Sequence, residues 1–195
     1  MKSAFFTQSV LWRNTRALGT DYCTLYEHPL GYDLKGTVLT VSKALPYLIH
    51  YEVRCDKANR TKEVSVRLQS GETQVQLHLG ICDGRWWRNG REVSALRGCA
   101  DVDLGVTPAT NTLPIRRLNL GVGESREIQA AWVKFPSLET EPLAQRYTRL
   151  SEHRYRYESE RVEVDLEVDS AGFVTHYPDG WVLEAQRDNV GQFGG

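Results

Sequence analysis

The stretch Tyr47–Cys55, YLIHYEVRC, decides the fold class. Tyr47, Ile49, Tyr51, Val53 and Cys55 fall on one face of an extended chain, and Leu48, His50, Glu52 and Arg54 fall on the other. Side chains of a strand alternate between its two faces, so this pattern is a strand with one face in a core and one in water. The alternation recurs outward from there. Val64, Val66 and Leu68 alternate with Glu63, Ser65 and Arg67; Val75, Leu77 and Leu79 alternate with Gln74, Gln76 and His78. Near the C-terminus Val162, Val164, Leu166 and Val168 alternate with Glu163, Asp165, Glu167 and Asp169. Such a pattern predicts antiparallel strands with one wet face.

The turn residues agree. Asp83-Gly84 and Asn89-Gly90 bracket Arg85–Arg88, and Asp179-Gly180 separates Phe173–Tyr177 from Trp181–Ala185. These pairs supply the positive φ of tight hairpins, and Gly71 and Gly172 occupy similar places. The reading is one mainly β domain over residues 1–187, a long meander without linker or repeat, followed by a flexible Gly-rich tail at 188–195. Residues 113–120 are the exception. Asn111 or Thr112 can cap a short helix with Pro114 in its first turn and Gly121 as its stop. The competing reading is a strand over Ile115–Leu120; the helix is preferred. A meander of this length must curl or close, and a curled sheet offers a concave face to small molecules or lipids.

Composition narrows the classes. The 195 residues carry 24 basic and 25 acidic side chains for a net charge of −1, which lacks the basic excess of a nucleic-acid binder. Cys23, Cys55, Cys82 and Cys99 form no C-x-x-C pair, so no zinc knuckle or thioredoxin motif is present. No apolar run reaches signal-peptide length or the roughly 20 residues of a membrane span. The expectation is a cytoplasmic chain with reduced thiols, no cofactor and no metal. The five histidines are scattered, and no G-x-S-x-G, H-E-x-x-H, P-loop or dinucleotide motif occurs.

Polar chemistry concentrates in Gly98–Leu118, GCADVDLGVTPATNTLPIRRL. Asp101 and Asp103 share a strand face about 7 Å apart. Such a pair can serve glycoside hydrolysis, hold a cation, or pair with Arg116 and Arg117 to fix the Thr107–Pro114 loop. Adjacent arginines point apart on helix or strand, so one is expected to pair with an aspartate and the other to face a cavity or solvent. Trp86 and Trp87 also point apart. The outward one, between Arg85 and Arg88, would either offer a stacking surface to a sugar or lipid head or simply shield a short hairpin. Trp12, Trp132 and Trp181 read as core. In Gln145–Tyr157, Tyr155 and Tyr157 oppose Arg154 and Arg156; the arginines read as a surface for an anionic head group or, in preference, as a solvated face paired with Glu152 and Glu158.

The run Thr107–Arg117, TPATNTLPIRR, preceded by Gly98-Cys99 and Asp101–Leu104, resembles the bacterial glycolipid-binding family, formerly a domain of unknown function. Trp12-Arg13, Gly31-Tyr32, Gly36-Thr37, Tyr51, Trp86, Ala131–Pro136 and Gln145–Tyr147 are also similar to that family's pattern, so the resemblance covers most of the chain. It departs at Ala58-Asn59, where the pattern has an aromatic. The resemblance implies a roll of antiparallel strands around one helix, similar to bacterial lipoprotein carriers, and binding of an amphiphile such as a glycolipid or its precursor. It implies no catalytic residues. The apolar tail would lie in the concave face, with the head at Asp101, Asp103, Asn111, Arg116 and Arg117 and beside Trp86 or Trp87. The alternative is an enzyme on a glycosyl or acyl-glycosyl substrate using Asp101 and Asp103; a third class is a structural module.

Overall fold

The computed structural model describes residues 4–189. Eight strands run first: β1 (Phe5–Asn14), β2 (Gly19–His28), β3 (Gly31–Ser42), β4 (Leu45–Asp56), β5 (Thr61–Ser70), β6 (Thr73–Cys82), β7 (Arg85–Arg88) and β8 (Arg91–Glu92). A short 3₁₀ turn leads to β9 (Asp101–Leu104), and a second one to the helix α1 (Thr112–Leu118). Six strands complete the chain: β10 (Ser125–Val133), β11 (Thr140–Ser151), β12 (Arg154–Ser159), β13 (Glu163–Val168), β14 (Val174–Tyr177) and β15 (Trp181–Asp188).

All fifteen strands form one sheet in the order β8-β7-β6-β5-β4-β3-β2-β1-β15-β14-β13-β12-β11-β10-β9. The first and last strands pair, so the two chain halves meet at mid-sheet and the free edges are β8 and β9. The sheet curls without closing. Val102 N–H donates to Thr61 Oγ1 at 3.1 Å, which brings edge strand β9 across the roll onto β5. The expected tail begins at Asp188, which is the last residue of β15, while Asn189 N–H donates to the Thr7 carbonyl at 2.8 Å. The rest of that segment, 190–195, lies outside the described residues.

The period-2 pattern is realised where it was read. Ile49, Tyr51, Val53 and Cys55 are buried, as are Val64, Val66, Leu68, Leu77 and Leu79; Val75, near the end of its hairpin, is exposed. Asp83, Asn89 and Asp179 take positive φ of 49°, 47° and 51° in their turns. One ladder departs from the antiparallel pattern. β9 pairs with β10 in parallel, and such a pair needs a crossover connection between its strands. Residues 105–124 are that crossover, and this decides the helix over the strand at 113–120. The helix stops at Asn119 rather than Gly121: Asn119 takes the left-handed conformation at φ 43° and donates to the Ile115 carbonyl at 3.3 Å. Asn111 sits at the N-cap, but its side chain caps nothing. Among the described residues no helix is long and apolar enough to cross a membrane.

Two apolar clusters hold the roll. The larger contains Trp12, Trp86, Val102, Leu104, Leu113 and Phe173; the smaller contains Ile115, Tyr147, Tyr155, Tyr157, Leu166 and Val174. α1 therefore joins them through Leu113 on one side and Ile115 on the other. Trp12 meets Phe173 edge to face at 5.7 Å and donates its indole N–H to the Val174 carbonyl at 2.7 Å. Gly36 is required here: a Cβ would fall 2.1–2.5 Å from the ring of Tyr51, which lies across β3.

Candidate functional site

β9 is covered on both faces, and this sets the fate of its two aspartates. Val102 and Leu104 enter the main core, so Asp101 and Asp103 point the other way, toward α1 and β11. Asp101 is buried and bound to Arg117: Nε donates at 2.9 and 3.2 Å and Nη2 at 2.6 Å. Burial pushes the Asp101 carboxyl up and the Arg117 hydrogen bonds pull it back, while the same bonds raise Arg117. Asp103 pairs with no cation among the described residues. Gln145 donates to it at 2.7 Å from β11, and desolvation pushes its pKa up to about 6.

Asp103 lies in a cavity of about 480 Å³ at the mouth of the roll. The mouth is the end where the strand turns 15–18, 160–162 and 178–180 gather. Thr107, Pro108 and Asn111, on the crossover, form one wall; Trp132, Tyr157, Tyr177 and Trp181 supply aromatic surface; Arg16, Arg161 and Glu163 stand at the rim. Asn111 accepts from the Tyr147 hydroxyl at 2.9 Å and donates to the Pro108 carbonyl at 3.1 Å, which fixes its amide. Trp132 presses its indole nitrogen against Gly105, where a Cβ would come within 2.8 Å. Arg161 and Lys134 stand over the same indole at 4.5 and 5.3 Å from the ring centroid. Trp132 and Trp181, both expected in the core, are half-buried and wall this cavity; Trp181 also packs against the main core, whereas Trp132 joins neither apolar cluster.

Behind the cavity lies a network that the sequence did not announce. Asp21 is fully buried and accepts hydrogen bonds from the Tyr51 hydroxyl, at 3.0 and 3.3 Å, and from the Thr107 hydroxyl. Thr107 Oγ1 in turn accepts from Ala109 N–H at 2.9 Å. Desolvation pushes Asp21 up to about 7, against those hydroxyl donors. The network ties β2 and β4 to the start of the crossover, so it sets the position of the cavity wall. Asp21, Tyr51 and Thr107 are separated by tens of residues in sequence; only the register through Gly36 brings them together.

The other candidates lie elsewhere. Arg117 borders a groove of about 680 Å³ in which Arg146 pairs with Glu127 and Glu158. Arg116 faces the far end of the roll, in a hollow of about 430 Å³. It donates to Asn59 Oδ1 at 3.2 Å and stacks on Tyr32 at 4.3 Å. Trp86 is the inward member of its pair: it is buried and donates to the Cys99 carbonyl at 3.1 Å, while Trp87 is 38% exposed. Arg154 and Arg156 pair with Asp165 of the neighbouring strand, at 2.8 and 2.9 Å, rather than with Glu152 and Glu158 as their closest acid. The structure thus joins Asp103 and Asn111 at one cavity and sends Arg116 and Arg117 to two other surfaces. No group of His, Cys, Asp and Glu able to hold a metal occurs among the described residues.

The fold and this mouth define an open β-roll with a polar, aromatic-walled cavity where the helix-bearing crossover begins. A family model described as "Putative glycolipid-binding" matches residues 9–182, and the chain belongs to that family. A DUF1089 family protein from Pseudomonas aeruginosa, known from its crystal structure, superposes with a TM-score of 0.73 at 32% identity over 81% of this chain and 89% of that one. A β-barrel-like protein of the DUF1849 domain from Brucella abortus superposes with a TM-score of 0.55 at 8% identity over 94% of this chain and 98% of that one, a likeness of fold alone. No curated protein matches the chain.

Proposed function

We propose that the protein binds the carbohydrate head of a glycolipid, or of a glycolipid precursor, in the cavity at the mouth of the roll. One observation carries the reading: Asp103 and Asn111 lie in the same cavity as Trp132, Tyr157, Tyr177 and Trp181. A sugar ring presents apolar C–H faces and a belt of hydroxyls. Aromatic faces take the former, and a carboxylate and a fixed amide take the latter. The family description points to the same ligand class. The interior of the roll is filled by Trp12, Trp86, Leu104 and Phe173, so the tail leaves through the mouth in this reading instead of threading the concave face. The four free cysteines, two of them buried, suit a reducing compartment, and the reading assigns the protein to the cytoplasm.

Tryptophan fluorescence tests it. Adding a bacterial glycolipid extract to the full chain changes the emission, and Trp132→Phe together with Trp181→Phe abolishes the change. A response that survives both substitutions, or none at all, contradicts the reading.

A second reading, hydrolysis of a glycosyl substrate, draws on the raised pKa of Asp103, which suits a general acid. Asp101 is unsuited to act beside it because Arg117 occupies its carboxylate. Turnover lost in Asp103→Asn and kept in Asp101→Asn would favour this reading.

A further inference from the structure

The β1–β2 and β3–β4 turns carry an apolar edge that none of the described residues covers. Leu18 is 79% exposed and Leu45 52%, and behind them Leu39 and Val41 are exposed on the outer face of β3. Between the turns runs a groove of about 430 Å³ lined by Ala17, Leu18, Leu39, Val41 and Pro46, with Arg13 at its border and no acid in its lining. The edge is fixed in place. Val41 N–H and Thr40 Oγ1 both donate to the Leu18 carbonyl, at 3.1 and 3.0 Å, locking one turn against β3. Thr15 N–H donates to the Gly180 carbonyl at 2.8 Å, which fastens the same turn to the β14–β15 turn walling the mouth cavity. Apolar edge and cavity mouth are therefore one side of the molecule.

We propose that this edge docks on an anionic lipid bilayer and presents the cavity to the membrane surface. Charge selects the occupant. The ionisable residues on the two turns are Arg16 and Lys43, both basic, with Arg13 beside them. Arg13 meets Glu184 at 2.5 Å and Arg16 meets Asp179 at 3.7 Å, yet both guanidinium groups stay more than half exposed. Exposed leucines at turn tips flanked by basic residues suit the headgroup boundary, where apolar side chains enter the acyl region and cations meet lipid phosphates. Pairing two copies of this chain through the same edge would set these basic residues against one another. The proposal goes beyond head-group binding and does not depend on it, because bare phospholipid suffices.

Sedimentation of the full chain with phosphatidylcholine–phosphatidylglycerol vesicles tests it. The wild type pellets with these vesicles and less with phosphatidylcholine alone. Leu18→Asp with Leu45→Asp abolishes pelleting while melting stays unchanged. Arg16→Gln and Lys43→Gln each weaken it about fivefold. Leu30→Asp, an equally exposed leucine in the β2–β3 turn at the other end of the roll, leaves it intact. These vesicles carry no glycolipid, which separates this proposal from the cavity's role. No pelleting of the wild type, equal loss in Leu30→Asp, or retention in the double leucine variant overturns the proposal. So does light scattering that shows a dimer dissolved by the double variant, since the edge then belongs to a second copy.

Discussion

Arg117 grips Asp101 through three hydrogen bonds of 2.6–3.2 Å, while its neighbour Arg116 points to the far end of the roll and pairs with no acid among the described residues. One turn of α1 thus carries a structural clamp and an open guanidinium side by side. Truncating the first strands a buried carboxylate. Arg117→Ala should cost about 3–5 kcal/mol in chemical denaturation. Arg116→Ala should cost about 1 kcal/mol or less, since its partners are the Asn59 amide, the half-buried Tyr32 ring and, at 3.5 Å, the Ala171 carbonyl. Asp101→Asn with Arg117→Met, which removes both charges, should recover much of the loss. Equal losses at the two arginines would show that both are clamps.

Asp21 makes stability depend on pH in the less usual direction. Its folded pKa is raised from 3.8 to about 7, so between those values the folded state holds a proton that the unfolded state has lost. Stability therefore falls as pH rises through that window and levels off above it. Asp103, raised to about 6, adds to the same slope. The upper bound for Asp21 is ~4 kcal/mol. Urea denaturation from pH 4 to pH 8 should show the decline, and Asp21→Asn should flatten most of it. A stability that rises through this range would refute the assignment.

Asp103→Asn separates binding from folding. The amide keeps a contact with Gln145 and removes a charge that desolvation disfavours, so melting at pH 8 should not fall. Affinity for a glycolipid head should drop about tenfold or more, the cost of a hydrogen bond to a charged group. A parallel loss of melting and affinity would make Asp103 a structural residue only.

Gly36→Ala tests the scaffold behind the cavity. The added Cβ collides with the hydroxyl-bearing edge of the Tyr51 ring, so ring and strand must part and the Tyr51 hydroxyl must leave Asp21. Overpacking of this kind costs about 1–3 kcal/mol, and the lost hydrogen bond adds to it. A melting temperature within a degree or so of wild type would show that Tyr51 has room to move.

The fold was legible because its determinants are local. Tyr47–Cys55 states its own two faces, and Asp83-Gly84, Asn89-Gly90 and Asp179-Gly180 state their own turns. The site was legible only in part. Asp101–Arg117 could be read as a pair because both lie in one dense run, but nothing local says which arginine turns inward. The parallel β9–β10 pairing decides it by fixing the course of the crossover. Trp132 and Trp181 carry no mark of cavity walls, since that role depends on strands far apart in sequence meeting at one end of a curled sheet. Asp21, Tyr51 and Thr107 were missed for the same reason; Gly36-Thr37 and Tyr51 in the family resemblance were the available signal.

The most direct measurement is native mass spectrometry of the full chain mixed with a bacterial glycolipid extract, comparing wild type with Asp103→Ala and Arg116→Ala. The wild type and Arg116→Ala should each carry a glycolipid adduct, and Asp103→Ala should lose it. No adduct on the wild type across a broad panel of extracts, or an adduct indifferent to Asp103→Ala, would contradict it.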